Sequence, residues 1–225
     1  MTDVNRRAVT GMISMVIVLP ALVFLPAWTL NYWQAWVCFL VYFASVTAIT
    51  VFLMKTNPEL LDRRMRAGVA AENEKSQKVI QSFAAIAFVA LFVVSALDHR
   101  FGWSAVPAYA VIAGDMLILL SFAFVFRVFQ VNAFTSGVIE VVPGQKVVTT
   151  GPYALVRHPM YAGALVMLCG IPMALGSWRG LCTMLPMTFV ICWRLLDEEK
   201  FLARNLAGYA EYRDRVKYRL APLIW

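Results

Sequence analysis

Residues 151–161 read GPYALVRHPMY, and they stand where a polar loop meets a long apolar segment. The residue before a proline is driven away from helical geometry, whereas proline itself suits the first turn of a helix. The stretch therefore predicts a helix that begins at Pro159, with His158 at its N-terminal mouth. Free N–H groups and partial positive charge at such a mouth favour a carboxylate or a phosphate.

The composition of the chain is that of a membrane protein. Its 225 residues are 61% hydrophobic, whereas a soluble protein is roughly 45–50% apolar. The segments lack the alternation of a membrane barrel. We therefore predict an all-α integral membrane protein of about six spans, each close to the ~20 residues that cross a bilayer as a helix. The six apolar stretches run approximately over 9–28, 33–54, 80–97, 105–126, 159–176 and 178–196.

The basic residues are distributed unevenly between the two sides that these spans define. Eighteen of the 20 Lys and Arg residues fall before the first stretch, at or beyond the end of the sixth (from Arg194), or in the loops that follow the second and fourth. By the positive-inside rule, both termini and the loop before Pro159 are predicted to be cytoplasmic. The net charge of +7 then reflects topology and contact with anionic lipid. Nothing indicates nucleic-acid binding, and the four cysteines lack the spacing of a metal site.

Two connectors carry local structure signals. Asn57-Pro58 predicts a helix start in the charged loop 55–78, which would be a surface helix or a solvated connector. In the polar loop 129–157, the runs 138–142 and 146–150 flank a Pro-Gly turn and predict a small β-hairpin. We divide the chain into N-terminal spans (1–128) and a region with the loop, a helical hairpin and a C-terminal helix (129–225), within one integrated membrane domain.

The last two stretches are joined only at residues 176–178, so they must form a tight antiparallel hairpin. This brings Arg194, Glu198 and Glu199 back beside His158. Arg194 and Glu198 are one helical turn apart and are predicted to pair. Apolar and aromatic residues at helical spacing predict that 194–218 forms a helix at the cytoplasmic membrane interface.

The residues gathered at this end suit a zwitterionic ligand. His158 and the helix start supply donors, and Glu198 and Glu199 supply negative charge. Aromatic faces also attract sulfonium or quaternary ammonium groups. Four tyrosines are available for that role: Tyr153, Tyr161, Tyr209 and Tyr212.

The order of these residues resembles the isoprenylcysteine carboxyl methyltransferase family and related integral-membrane phospholipid methyltransferases. The resemblance covers roughly 129–222, and residues 57–61 (NPELL) are similar to bacterial members. The matching pattern is Gly151-Pro152-Tyr153, Arg157-His158-Pro159-x-Tyr161-x-Gly163, an apolar hairpin, Arg194, Glu198-Glu199 and Tyr209-x-x-Tyr212.

The resemblance implies a methyltransferase of the EC 2.1.1 class in a bacterial inner membrane. It implies S-adenosylmethionine as cofactor and a lipophilic acceptor at the cytoplasmic face, with isoprenylcysteine carboxyl O-methylation as the first candidate reaction. N-methylation of a phospholipid or another amine is the enzymatic alternative. Two alternative hypotheses belong to other functional classes: a sterol-reductase-like NADPH enzyme and a non-catalytic membrane scaffold.

The resemblance also implies roles for individual residues. Arg194 and Glu198 are the candidate catalytic residues, with Arg194 facing the acceptor and holding a carboxylate. A carboxylate is ionised at neutral pH, so no general base is required. The acceptor's lipid tail is expected to enter between spans near the fourth. The cofactor-binding residues are predicted to be Tyr153, Arg157, His158, Tyr161, Glu198, Glu199, Tyr209 and Tyr212.

Each of these residues also has a structural interpretation. His158 would then be a helix cap, the glutamates solvated acids after a span, and the tyrosines members of an aromatic belt. Asp115 lies outside the motif, near the middle of the fourth stretch. Because a charge there is costly, both a structural and a functional role are open.

Overall fold

The computed structural model describes residues 3–225, which form nine α-helices and two 3₁₀ turns, with no β-strand among them. The all-α prediction is confirmed. The 3₁₀ turns are Val69–Ala71 and Gly151–Ala154. The helices are α1 (Asp3–Ala27), α2 (Trp33–Thr56), α3 (Pro58–Met65), α4 (Lys75–Phe101), α5 (Ala108–Val131), α6 (Pro159–Ala174), α7 (Trp178–Cys182), α8 (Met184–Asn205) and α9 (Tyr209–Arg215).

Five helical segments have the length and composition to cross a membrane: α1, α2, α4, α5, and α7 with α8. The remaining apolar helix, α6, corresponds to the fifth predicted stretch and has only 16 residues, or about 24 Å at 1.5 Å per residue. That is shorter than the ~30 Å hydrocarbon core. The fifth predicted span is thus a helix shorter than the hydrocarbon core. It begins at Pro159 beside the C-terminal tail and ends before Gly176, whose φ is +69°.

The helices pack around a core that leaves large apolar side chains on the outside. Leu40, Leu185 and Phe189 are about 70% exposed or more, at 71%, 77% and 69%, whereas Phe92 and Ile118 are enclosed. This distribution is that of helices facing lipid. Together with the five long apolar helices, it identifies an integral membrane protein.

The closest helix contact joins α5 to α6. A Cβ added to Gly114 would lie 2.3 Å from the backbone nitrogen of Ala174 and 2.7 Å from the carbonyl of Gly170. Small residues allow such close approach between membrane helices. The contact holds α6 against α5 and thereby places the start of α6 beside the loop that follows α5.

The predicted tight hairpin is confirmed, and its turn is fixed by a cluster of short polar side chains. Ser177 Oγ accepts a hydrogen bond from the Gly180 amide (2.7 Å) and donates one to Asp98 Oδ2 (2.5 Å). Ser104 Oγ donates to the same carboxylate oxygen at 2.6 Å. We call Asp98, Ser104 and Ser177 the turn cluster; it anchors the hairpin to the end of α4.

The C-terminal region differs from the single helix predicted over 194–218. The helix is interrupted at Leu206 to Gly208, where Gly208 adopts a φ of +81°. The predicted apolar positions are nevertheless buried, because they pack against the preceding loop rather than lying on the membrane surface. The cluster contains Leu206, Tyr209, Tyr212 and Val216, with Val141, Val147, Tyr153 and Leu202 packed against it.

The two polar connectors have different outcomes. The helix predicted after Asn57 is confirmed as α3: the Asn57 side chain accepts from the Leu60 amide at 3.0 Å, and Asp62 pairs with Arg7 of α1 at 2.6 Å. The β-hairpin predicted over 138–150 is wrong, since the segment is irregular. Its valines cover the C-terminal residues instead of forming a paired ladder.

Candidate functional site

A cavity of about 300 Å³ opens where α6 begins and α8 ends. Its walls also include the connector between α3 and α4, the loop after α5, and α9. We call it the polar cavity. All but one of the predicted site residues line it: Tyr153, Arg157, His158, Tyr161, Arg194, Glu198, Tyr209 and Tyr212.

The exception, Glu199, lies buried behind the wall. Its Oε1 accepts hydrogen bonds from Arg157 Nε (2.7 Å) and His158 Nε2 (3.2 Å), and its Oε2 accepts from Arg219 Nε (3.1 Å). The side chains of Arg157, His158 and Glu199 are only 4%, 5% and 7% exposed. The two adjacent glutamates therefore differ in position and role. Glu198 faces the cavity, and Glu199 holds the Arg157-His158 segment in position.

The C-terminal tail occupies part of the predicted helix mouth. The amides of Arg157 and His158 donate to the carbonyls of Tyr218 and Arg219, both at 2.9 Å. Since Pro159 has no N–H, only the amides of Met160 and Tyr161 remain as donors in the first turn. His158 makes no side-chain capping bond to this helix. The helix mouth therefore offers an anion fewer free N–H donors than the sequence suggested.

Tyr161 connects the two predicted catalytic residues. Its hydroxyl donates to Glu198 Oε2 (2.5 Å) and accepts from Arg194 Nε (3.1 Å). Glu198 is half-buried and forms no ion pair with any basic residue of the described chain, 3–225. It is thus an acid that faces the cavity without a neutralising partner.

Arg194 does not form the ion pair predicted with Glu198. Its Nη2 instead bonds Glu72 Oε1 (2.7 Å), and its Nη1 donates to Gln77 Oε1 (3.0 Å). Glu72 reaches in from the connector after α3, and its side chain is fully enclosed. Arg194 is therefore already neutralised, and it orients Tyr161 rather than offering a free guanidinium.

Arg64 is a cavity residue that sequence reasoning missed. Its Nη1 donates to the carbonyl of Ser136 (2.5 Å), and its guanidinium lies 5.5 Å from the centre of the Phe129 ring. Burial lowers the pKa of this guanidinium from its ordinary value, and Tyr161, then Tyr153, oppose the shift. In the sequence, Arg64 was one of several basic residues attributed to membrane topology. Nothing in the sequence distinguished it from its basic neighbours Arg63 and Arg66.

The tyrosine side chains present neutral hydroxyl groups. Burial raises the pKa of Tyr153 to about 12 and raises the pKa values of Tyr209 and Tyr212 above their ordinary range. The Tyr153 hydroxyl accepts from Asn132 Nδ2 (2.9 Å), and the Tyr212 hydroxyl donates to the Tyr153 carbonyl (2.8 Å). The buried hydroxyl of Tyr209 has no hydrogen-bond partner within residues 3–225, and Tyr209 lines the polar cavity.

Two further observations bound the chemistry. Within the described part of the chain, no group of three or more His, Cys, Asp or Glu side chains is arranged to hold a metal ion. Asp115 does not line the polar cavity. It is buried in α5 at 6% exposure, and neither carboxylate oxygen has a partner among residues 3–225.

Part of the chain is similar to a known protein family. A family model described as phospholipid methyltransferase matches residues 109–208. The match includes α6, the hairpin turn and α8, and with them His158, Arg194 and Glu198. No curated protein matches the chain. Residues 109–208 are therefore similar to the phospholipid methyltransferase family.

Proposed function

We propose that the polar cavity binds S-adenosylmethionine and that the protein transfers its methyl group to a lipophilic acceptor at the cytoplasmic membrane face. The single observation that carries this proposal is the enclosed combination of Arg64, Glu198 and phenol groups at the ends of the membrane helices. When bound, S-adenosylmethionine supplies an electrophilic methyl group.

Several cavity residues have hydrogen-bonding or charged groups without a protein partner, and these groups suit the cofactor. The unpartnered Tyr209 hydroxyl and the first-turn amides of α6 are open to a polar ligand, and Glu198 is open to a cation. The faces of Tyr153 and Tyr161 suit a sulfonium. Arg157, His158 and Glu199 would keep the wall rigid, because each is bonded to the others or to the tail.

The predicted carboxylate of an isoprenylcysteine is our first candidate acceptor. A carboxylate is already ionised at neutral pH, so the enzyme only has to align it with the methyl group. Arg194 would then act as a positioning residue through Tyr161, since Glu72 already neutralises it. Apolar Met160, Ala164 and Leu202, which also line the cavity, offer a wall for the acceptor's chain.

A phospholipid amine is the second candidate, favoured by the description of the matching family. An amine has to lose a proton before it is methylated, and Glu198 would accept that proton. The two acceptors therefore make different demands on Glu198. Glu198→Gln would abolish turnover of an amine acceptor at saturating cofactor, whereas a carboxylate acceptor would keep most of its kcat.

We also propose the membrane arrangement suggested by the charge distribution, with both termini cytoplasmic in a bacterial inner membrane. Residues 1–128 would provide spans and the connector that carries Arg64 and Glu72. Residues 129–225 would provide the motif region of the same domain. Because α5 and α6 touch at Gly114, the acceptor tail would not pass between these two helices near Gly114.

Equilibrium binding of S-adenosylhomocysteine to the detergent-purified protein tests the cofactor, and transfer of labelled methyl groups tests the acceptor. The assay would offer a farnesylated N-acetylcysteine and, separately, phosphatidylethanolamine vesicles. Glu198→Gln should weaken binding, whereas the exposed Glu211→Gln is the matched control. The proposal fails if the unmodified protein binds no S-adenosylhomocysteine at millimolar concentration, and NADPH binding instead would support a reductase.

A further inference from the structure

We propose that Arg64 and Glu198 clamp the amino acid group of the cofactor, with Arg64 binding its carboxylate and Glu198 its ammonium group. This rests on the proposed function. It assigns the carboxylate to a residue of α3, outside the matched segment 109–208, instead of to the helix mouth at His158.

The positive charges around the cavity are unequal in their availability. Arg157 is paired with Glu199 at 2.7 Å, and Arg194 with Glu72 at 2.7 Å. Lys146 is exposed at the rim. Arg64 is a half-buried cation that lines the cavity and forms no ion pair with a carboxylate of residues 3–225.

The negative charges show the same asymmetry. Glu140 lines the cavity but is paired with Arg66 at 3.1 Å. Glu198 receives only the hydroxyl hydrogen bond of Tyr161. Inside the described cavity wall, one cation and one anion are thus left without a charged partner, and they belong to different elements, α3 and α8.

The guanidinium of Arg64 has the donors to hold a carboxylate. Arginine carries five N–H donors in a planar fork that binds a carboxylate through two parallel hydrogen bonds. One of these groups is used by the Ser136 carbonyl. An enclosed charge without a counter-ion is unfavourable, so an anion that enters the cavity is stabilised most at this position.

A single ligand that carries both charges satisfies both residues together. Tyr161 bonds Glu198 directly, and both Tyr161 and Glu198 act electrostatically on Arg64 without pairing with it. Both residues line the polar cavity, and we assign the space beside them to an amino acid group. S-adenosylhomocysteine carries the same amino acid group, whereas 5′-methylthioadenosine lacks both of its charges.

The test measures the affinity of both ligands, and of S-adenosylhomocysteine without its carboxylate, in detergent. Arg64→Gln should weaken S-adenosylhomocysteine binding by about tenfold or more, the loss expected for a charge-assisted hydrogen-bonded pair. It should change the affinity of methylthioadenosine and of the decarboxylated ligand less than about twofold. Arg64→Lys should recover part of the loss because it keeps the charge. Arg204→Gln, at an exposed arginine outside the cavity, is the control, and thermal unfolding checks that each variant is folded.

Several results would overturn the clamp. One is an equal loss for all three ligands in Arg64→Gln; another is equal affinity of the unmodified protein for S-adenosylhomocysteine and methylthioadenosine. Unchanged S-adenosylhomocysteine affinity with a raised KM for an acidic acceptor would assign Arg64 to the acceptor instead. If the unmodified protein binds none of the three ligands, the proposed function itself is wrong, and the clamp with it.

Discussion

The two ends of the α6–α8 hairpin use polar side chains in opposite ways. At the turn, Asp98 and Ser177 are almost fully buried and bonded to each other and to nearby amides. At the other end, Arg64 and Glu198 face a cavity of about 300 Å³ without a charged partner. At the turn, Asp98 Oδ2 accepts three hydrogen bonds, although the buried Oδ1 has no partner among residues 3–225. At the cavity end, the two charges themselves are left for a ligand.

Packing explains why the two ends differ. At the turn the groups are short and the backbones touch: a Cβ on Gly180 would lie 2.3 Å from Ser95 Oγ. At the cavity the side chains are long and come from several separate elements, so they enclose space. We expect changes at the turn to reduce stability and changes at the cavity to reduce ligand affinity.

The largest effect is expected at Glu199, which lies at the cavity end but behaves as scaffold. Glu199→Gln leaves Arg157 and Arg219 without their carboxylate, and breaking a buried ion pair costs about 3–5 kcal/mol. Denaturant unfolding of the detergent-purified protein would measure the loss, with Glu211→Gln as control. A loss of cofactor affinity without a loss of stability would place Glu199 in the binding surface instead.

The next effect is a loss of affinity without a loss of stability. Glu198→Gln removes the unpaired carboxylate of the cavity, and a hydrogen bond to a charged group contributes about 1.5–3 kcal/mol. The affinity for S-adenosylhomocysteine should fall about 10- to 100-fold. Calorimetric titration would measure it, and a melting temperature lower than that of the unmodified protein would show that Glu198 is structural.

At the turn, the opposite result is expected. Asp98→Asn weakens the acceptor for the hydroxyls of Ser104 and Ser177 and should cost about 1–3 kcal/mol. S-adenosylhomocysteine affinity, measured below the unfolding transition, should stay within about twofold of the unmodified protein. Thermal unfolding and ligand binding, measured on the same sample, would show whether Asp98→Asn lowers stability or affinity. A loss of affinity without a loss of stability would contradict the structural role assigned to the turn.

The smallest effect is expected at Tyr153. Tyr153→Phe removes the acceptor for Asn132 Nδ2, a neutral hydrogen bond worth about 0.5–1.5 kcal/mol. Because burial raises the pKa of this phenol to about 12, the variant and the unmodified protein should share the same pH dependence of binding between about pH 7 and 9. A difference that appears only at the upper end of this range would show that the phenol ionises there.

Topology was the part of this site that the sequence could predict. The short connection at 176–178 forces α8 to return beside α6, so His158 and the two glutamates had to be neighbours. The helix boundaries also followed from apolar length and from the Asn57-Pro58 and His158-Pro159 starts. Regular periodicity and chain connectivity determine these features.

The partners supplied by irregular segments could not be predicted. Glu72 lies in an irregular segment between α3 and α4, and the tail carbonyls that bond Arg157 come from a segment after the last helix. Arg64 lies in the predicted helix α3, but its contact with the Ser136 carbonyl depends on the irregular loop after α5. The β-hairpin expected at 138–150 failed for the same reason, since Val141 and Val147 are held by Tyr209 and Leu206 rather than by each other. Long-range packing decides such segments.

A structure of the protein with S-adenosylhomocysteine bound would test the central claim most directly. We predict that the ligand lies in the polar cavity, with its carboxylate at Arg64 and its ammonium group at Glu198, while the hydrogen bonds of Asp98 and Ser177 stay unchanged. A ligand bound outside the polar cavity, or one in the cavity whose amino acid group contacts neither Arg64 nor Glu198, would contradict the account.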